Sequence, residues 1–174
     1  MVKVLSISSQ TIYGPVGNSA AVPALQESGH EVLQIPTVVL SNHPGLTKPA
    51  GQSTPAALID EMFQALHAIN AFDGLGGILT GYFTSAAQVI AVAKQIATLK
   101  ALNQNLHVLV DPVIGDHGQL YVGQEVAEAI RDVLLPLATI TTPNVFELQW
   151  LTGTPNRENA VETLGRPETI ITSV

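Results

Sequence analysis

Short apolar runs alternate with segments of helical period along this chain, and that alternation constrains its fold more than any other feature. Val2 to Ile7 reads as a first strand. A glycine-bearing loop from Ser8 to Gly17 leads to a helix from Asn18 to Ser28, closed by Gly29. Glu31 to Thr37 reads as a second strand, and Val38 to Gln52, with Pro44, Gly45, Pro49 and Gly51, as a long loop. Ser53-Thr54-Pro55 begins a helix, a hydroxyl cap followed by proline near the first position. Leu58, Met62, Leu66 and Ile69 form its apolar stripe, which is expected in the core. Gly76 to Thr80 is a third strand, and Thr84 or Ser85 caps a helix reaching Leu102. Leu106 to Val110 is a fourth strand, Val122 to Leu135 contains a helix, and Ala138 to Thr142 is a fifth strand. Val145 to Leu151 and Ala160 to Leu164 are short helical stretches, and Thr169 to Thr172 opens a last strand. This order predicts an α/β fold in a single domain over residues 1–174, with a largely parallel sheet and helices on both faces.

Composition narrows the class. Of 174 residues, 46% are apolar and only 12% charged, which suits one compact domain rather than a disordered chain. The formal charge is −7, and the seven lysines and arginines are scattered, so no basic stripe exists to follow a nucleic-acid backbone or an anionic membrane. Cysteine is absent, which excludes disulfides and thiolate metal sites and fits a reducing compartment. The N-terminus lacks the layout of a signal peptide, and no apolar run approaches the ~18 residues of a membrane span. A cytoplasmic protein is expected.

Chemistry concentrates where strands end. Asp111-Pro112-Val113-Ile114-Gly115-Asp116 follows the buried run Leu106–Val110. A carboxylate at the mouth of such a strand must be hydrogen-bonded, paired or solvated in a cleft. Ligands of open α/β sheets bind at the strand C-termini. The other exits are polar too: Ser8-Ser9-Gln10, Thr37, Thr80-Gly81-Tyr82, Thr141-Thr142-Pro143-Asn144 and Thr172-Ser173. Each one taken singly reads equally as a cap or turn residue. Asn144 and Glu147 lie on one side of a helical first turn. They read as a capping box or, with Asp111 and Asp116, as an acidic cluster that orients waters around a divalent cation. His43 is a loop histidine with no second histidine at metal-ligand spacing, and Tyr82 could stack on a flat ligand or pack. No G-x-x-x-x-G-K-[ST], G-x-G-x-x-G or G-x-S-x-G motif occurs.

Several stretches in order carry a resemblance: Ser6 to Gln10, Tyr13 to Ala21, Thr37 to His43, Thr80 to Tyr82, Asp111 to Asp116 and Thr142 to Leu148. Together they resemble the pyridoxal kinases of the ribokinase superfamily. The resemblance implies a three-layer ribokinase-like fold and phosphorylation of the 5′-hydroxymethyl of pyridoxal, pyridoxine or pyridoxamine by ATP with Mg2+ or another divalent cation. It places Ser9, Thr37, His43, Pro44 and Tyr82 around the vitamin. It puts Asp111, Asp116, Tyr121, Thr142, Glu147, Thr172 and Ser173 on the nucleotide side, and Asp111, Asn144 and Glu147 near the metal. Pro44 departs from the family's threonine and brings neither an N–H nor a hydroxyl to the vitamin's polar edge. A homodimer is implied as well. The family's Gly-x-Gly-Asp segment, with its catalytic base and anion-binding helix N-terminus, has no counterpart in this sequence. The base is therefore expected beyond Val174, the chain is expected to be a ribokinase-like domain cut short, and it is expected to be inactive by itself. The alternatives are a hydroxymethylpyrimidine kinase-like activity, a non-catalytic module that binds pyridoxal or nucleotide, and a pseudo-enzyme that serves dimerisation.

Overall fold

The computed structural model describes residues 1–165 and 168–173. Its main sheet has seven strands in the order β3-β2-β1-β4-β5-β8-β9. They are β1 (Lys3–Tyr13), β2 (Glu31–Asn42), β3 (Gly51–Ser53), β4 (Leu75–Thr80), β5 (His107–Val110), β8 (Ile140–Thr141) and β9 (Glu168–Thr169). Every pairing is parallel except β2 with β3. A separate hairpin joins β6 (Gly115–Asp116) to β7 (Gln119–Leu120). The helices are α1 (Asn18–Glu27), α2 (Ala56–Ala68), α3 (Ala86–Leu102), α4 (Gln124–Ala129), α5 (Val145–Thr152) and α6 (Arg157–Leu164).

One sheet face carries the core. Leu5, Ile7, Ile78, Val108 and Val110 pack against Ile59 and Phe63 of α2 and Val89, Val92 and Ile96 of α3, all of them buried. The opposite face is met by α1, whose Ala20, Ala21 and Ala24 border a cleft with Leu79 and Gly81. The layered α/β expectation therefore holds. No described helix is long and apolar enough to cross a membrane.

Local readings shift in instructive ways. Part of each loop expected over 8–17 and 38–52 is strand, because β1 and β2 stay paired to Tyr13↔Asn42 and β3 begins at Gly51. The polar run Ser8-Ser9-Gln10-Thr11 hides this continuation, since it breaks the apolar pattern that marks a buried strand. Pro55 itself is the N-cap of α2. The hydroxyl of Thr54 instead donates to Pro36 O at 2.6 Å. The α2 stripe is rotated from its expected position: Ile59 and Phe63 are buried, Met62 and Leu66 flank them, and Leu58 and Ile69 are exposed. α4 passes into a π-helical turn (Ile130–Leu134) and a 3-10 turn (Leu135–Leu137), where Pro136 has no amide hydrogen to continue the ladder. β6 and β7 were unforeseen; His117 and Gly118 form their turn with φ of 50° and 81°, the backbone of a tight hairpin. The last strand is Glu168–Thr169, and Thr172 makes an isolated bridge to Asn144.

The first turn of α1 is fixed by a buried amide. Asn18 is 1% exposed; its Oδ1 accepts from Ser6 Oγ at 2.8 Å and its Nδ2 donates to Ser8 O and Ile35 O, each at 3.2 Å. Replacing it strands a hydroxyl and two carbonyls inside the protein. Asn18→Ala is expected to cost about 2–4 kcal/mol in urea unfolding. A loss within ~0.5 kcal/mol, the range of an ordinary surface substitution, would contradict this role.

Candidate active site

A cavity of about 660 Å³ opens at the C-terminal ends of β1, β4 and β5. β1 contributes Ser8, Ser9 and Thr11, the turn after β2 contributes His43, Pro44 and Gly45, and the exits of β4 and β5 contribute Tyr82, Asp111 and Val113. Tyr121, just past the β6–β7 hairpin, completes the wall. The register of β1 against β2 shifts between Ser8 and Gln10, and such a bulge re-aims side chains at a sheet's rim. The loop before α1 then folds back on β1 through a Gln10↔Gly17 bridge. Only glycine fits at position 17: φ is +55°, and a Cβ would lie 2.4 Å from Ser9 O. Ser19 staples the same loop; its hydroxyl donates to Thr11 O at 2.6 Å and accepts from Thr11 N at 2.9 Å.

On one wall, His43 donates its backbone N–H to Tyr13 O at 3.1 Å, and its Nδ1 accepts from Gly45 N at 3.1 Å. The neutral ring therefore carries its proton on Nε2, which makes that atom a donor. Tyr82 donates its N–H to Ser8 Oγ at 3.2 Å, and burial raises the pKa of its phenol. Thr37, expected beside the vitamin, is fully buried and does not line the cavity. Its Oγ1 donates to Tyr82 O at 2.6 Å, so it holds the tyrosine from behind.

The other wall is acidic. Thr142 Oγ1 donates to Asp111 Oδ1 at 3.0 Å, and burial still raises the Asp111 pKa against that bond. Glu147 is 4% exposed; Oε1 accepts from Ile114 N at 3.0 Å and Oε2 from Asn144 N at 2.9 Å. Burial pushes its pKa up to about 7; the backbone bonds oppose the rise, and the nearby Asp111 charge adds to it. Asn144 Oδ1 accepts from Glu147 N at 2.9 Å, and its Nδ2 donates to Gly115 O at 2.9 Å. Asn144 and Glu147 thus form the capping box of α5, and they pin the Ile114–Gly115 loop as well. Burial, followed by the fields of Glu147, Asp111 and Asp116, raises the Tyr121 phenol.

The remaining candidates lie at the margin. Asp116 is half-exposed, with Oδ1 accepting from His117 N at 2.7 Å. Thr172 donates its N–H to Pro143 O at 3.0 Å, and Ser173 is exposed with φ of 53°. Neither lines the cavity.

Among the described residues no group of three histidines or carboxylates could hold a metal ion directly. Asn144 and both Glu147 oxygens already carry hydrogen bonds in the capping box and to Ile114, which suits them to hold a cation through its waters. Half-buried Asp111 on the cavity and buried Glu147 behind it, both with raised pKa values and with no lysine or arginine among the described lining residues, fit a hydrated divalent cation, which keeps several waters. Thr11, Val16, Leu40, Gly45 and Val113 also border the cavity and carried no chemical signal in the sequence. The extended β1–β2 pairing brings Thr11 and Leu40 there, and only the strand formers after Ser9 hinted at it.

An open, nearly all-parallel sheet with an acid-walled cavity at its strand exits defines a ribokinase-like α/β protein. The chain belongs to the phosphomethylpyrimidine kinase family, whose model matches residues 29–169. It is 44% identical to the pyridoxine/pyridoxal/pyridoxamine kinase of Bordetella bronchiseptica over 88% of this chain and 55% of that protein. The crystal structure of pyridoxal kinase from Entamoeba histolytica superposes with a TM-score of 0.92 at 28% identity, over 99% of this chain and 64% of that one. Pyridoxal kinase from Leishmania donovani in complex with ADP and pyridoxamine gives 0.90 at 34%, over 97% and 61%. The chain thus spans about half to two thirds of the length of these relatives.

The acid wall makes stability depend on pH in a defined direction. Glu147 holds its proton up to about pH 7 when folded but only to its ordinary value of 4.5 when unfolded. Its contribution is therefore fully present below about pH 4.5 and is lost as pH rises through about 7. The loss is on the order of 3 kcal/mol. Urea unfolding between pH 5 and pH 8 should show the fall, and Glu147→Gln should flatten it. An unchanged pH slope in the variant would contradict the assignment.

Proposed function

We propose that the whole protein phosphorylates the 5′-hydroxymethyl group of pyridoxal, with pyridoxine and pyridoxamine as related substrates, using ATP and Mg2+. The observation that carries this reading is the division of one cavity into two walls. Ser9, His43 and Tyr82 offer hydroxyls, an imidazole donor and a ring to a small aromatic ligand, while Asp111, with Glu147 behind, offers carboxylate and Tyr121 a hydroxyl to a cation and its phosphates. Support comes from the similarity to kinases named for these vitamers and from a neighbour solved with ADP and pyridoxamine. The product, a pyridoxal 5′-phosphate, fits a salvage reaction in the cytoplasm, and a homodimer belongs to the same reading.

This chain's own residues bind and orient. The bulge at Ser8–Gln10 and the His43 turn close around the flat ring, and Ser9 and the His43 Nε2–H meet its polar edge. Tyr82, fixed by Ser8 and Thr37, walls the ring from the β4 side and keeps water out. When bound, a divalent cation neutralises charge on the phosphate oxygens; Asp111 and Glu147 are the groups that would hold it, through its waters. Among the described residues that line the cavity there is no ammonium or guanidinium. The 174 residues are accordingly read as a binding platform without the full transfer machinery.

Calorimetric titration of the chain with pyridoxal and, separately, with Mg-ATP should show binding of both. Ser9→Ala should weaken pyridoxal about five-fold and leave Mg-ATP within about two-fold. The reverse ranking would overturn the assignment of the walls. Turnover in a coupled assay by the 174-residue chain would show that the proton acceptor lies within it.

A further inference from the structure

Gln88 stands in the first turn of α3, outside the cavity, and is fully buried. A buried glutamine is costly unless each of its polar atoms is used, and here all of them are. Nε2 donates to Thr54 O at 2.6 Å and Thr37 O at 2.8 Å, with Ser53 Oγ at 3.2 Å. Oε1 accepts from Thr84 N at 2.9 Å and from Thr84 Oγ1 at 3.1 Å. Two carbonyls on one side and an amide N–H on the other fix which way the side chain points.

Its partners belong to the two pieces of chain that shape the vitamin wall. Thr37 passes the connection on, since its Oγ1 donates to Tyr82 O. Ser53 ends β3, which pairs antiparallel with Val38–Leu40 of β2, and the turn between these strands carries His43 and Pro44. Thr54 N closes the loop by donating to Thr37 O at 2.9 Å. One amide thus ties the Tyr82 exit to the root of the flap bearing His43. Val89, Val92 and Ile96 of α3 pack in the core beside it.

We propose that Gln88 is a positioning residue for the aromatic-ligand wall, holding Tyr82 and the His43 flap at a fixed separation without touching ligand. This rests on the reading of that wall as the pyridoxal side. The acidic wall is held by a different network, through Asn144 and Glu147, so nucleotide binding stands apart from Gln88.

The test compares Gln88→Met and Thr37→Val with the unaltered chain. Gln88→Met keeps the length of the side chain and removes every bond; Thr37→Val deletes only the link to Tyr82 and serves if Gln88→Met fails to fold. Pyridoxal dissociation constants should rise roughly tenfold in Gln88→Met and about three- to five-fold in Thr37→Val, with Mg-ATP within about two-fold. Thr37→Ser, which restores the hydroxyl, should recover the unaltered value. Hydrogen exchange reports independently of any ligand: the Tyr82 and Thr84 amides should lose protection in Gln88→Met, while Gly81, bonded to Ile7 O, keeps it. Retained protection at Tyr82, or equal weakening of pyridoxal and Mg-ATP, would overturn the proposal. If the unaltered chain binds no pyridoxal, the functional reading fails and the exchange result alone decides the role of Gln88.

Discussion

The parallel pairing of β1 with β2 is the constraint on which the rest depends. It runs from Lys3↔Glu31 to Tyr13↔Asn42, and β1's pairing with β4 stops at Ile7↔Thr80. Beyond that point the two strands rise past the end of the sheet, with β3 laid antiparallel on β2. The cavity exists because of this overhang. Its floor is the exit of β1, β4 and β5, and one wall is the flap formed by the overhanging strands. Two details keep the overhang compatible with a folded chain. Asn18 satisfies carbonyls of both strands at the point of departure, and Gly17 lets the following loop cross Ser9 without a Cβ in the way.

Opposite the flap, electrostatics replaces packing as the organising force. Half-buried Asp111 and buried Glu147 have no basic partner among the described residues that line the cavity. Their ionised forms are disfavoured, and the structure answers with hydrogen bonds rather than with charge: Thr142 for Asp111, and the amides of Ile114 and Asn144 for Glu147. A region so arranged is poised for an added positive charge, which would stabilise the carboxylates that burial now penalises. The capping box of α5 therefore has two consequences. It starts the helix, and it holds a carboxylate beneath the acidic wall.

Much of this was legible in the sequence where a strong periodic or capping signal existed. The alternation of β and α, the Ser85 cap of α3 and the Asn144–Glu147 pair are local patterns, and local patterns survive into the fold. The overhang was not legible, because Ser8 to Tyr13 and Val38 to Asn42 satisfy one another through backbone pairing at long sequence range. The same reason hid the hydrogen bond from Thr37 to Tyr82, 45 residues away. The α2 stripe was displaced by one position because Leu58 and Ile59 are equally apolar, and only contact with the sheet chooses between them. The β6–β7 hairpin was missed because its strands are two residues each, too short for a period to appear.

On the proposed function, one cavity at the strand exits is divided between an aromatic-ligand wall and an acidic, nucleotide-facing wall. Backbone amide chemical-shift mapping of the chain with pyridoxal and then with Mg-ADP tests it most directly. Pyridoxal is expected to move the resonances of Ser9, Gly17, His43 and Tyr82, and Mg-ADP those of Asp111, Tyr121, Thr142 and Glu147. Shifts by either ligand centred on the opposite end of the sheet, at the cleft between His67, Phe72 and Asn103, would contradict it.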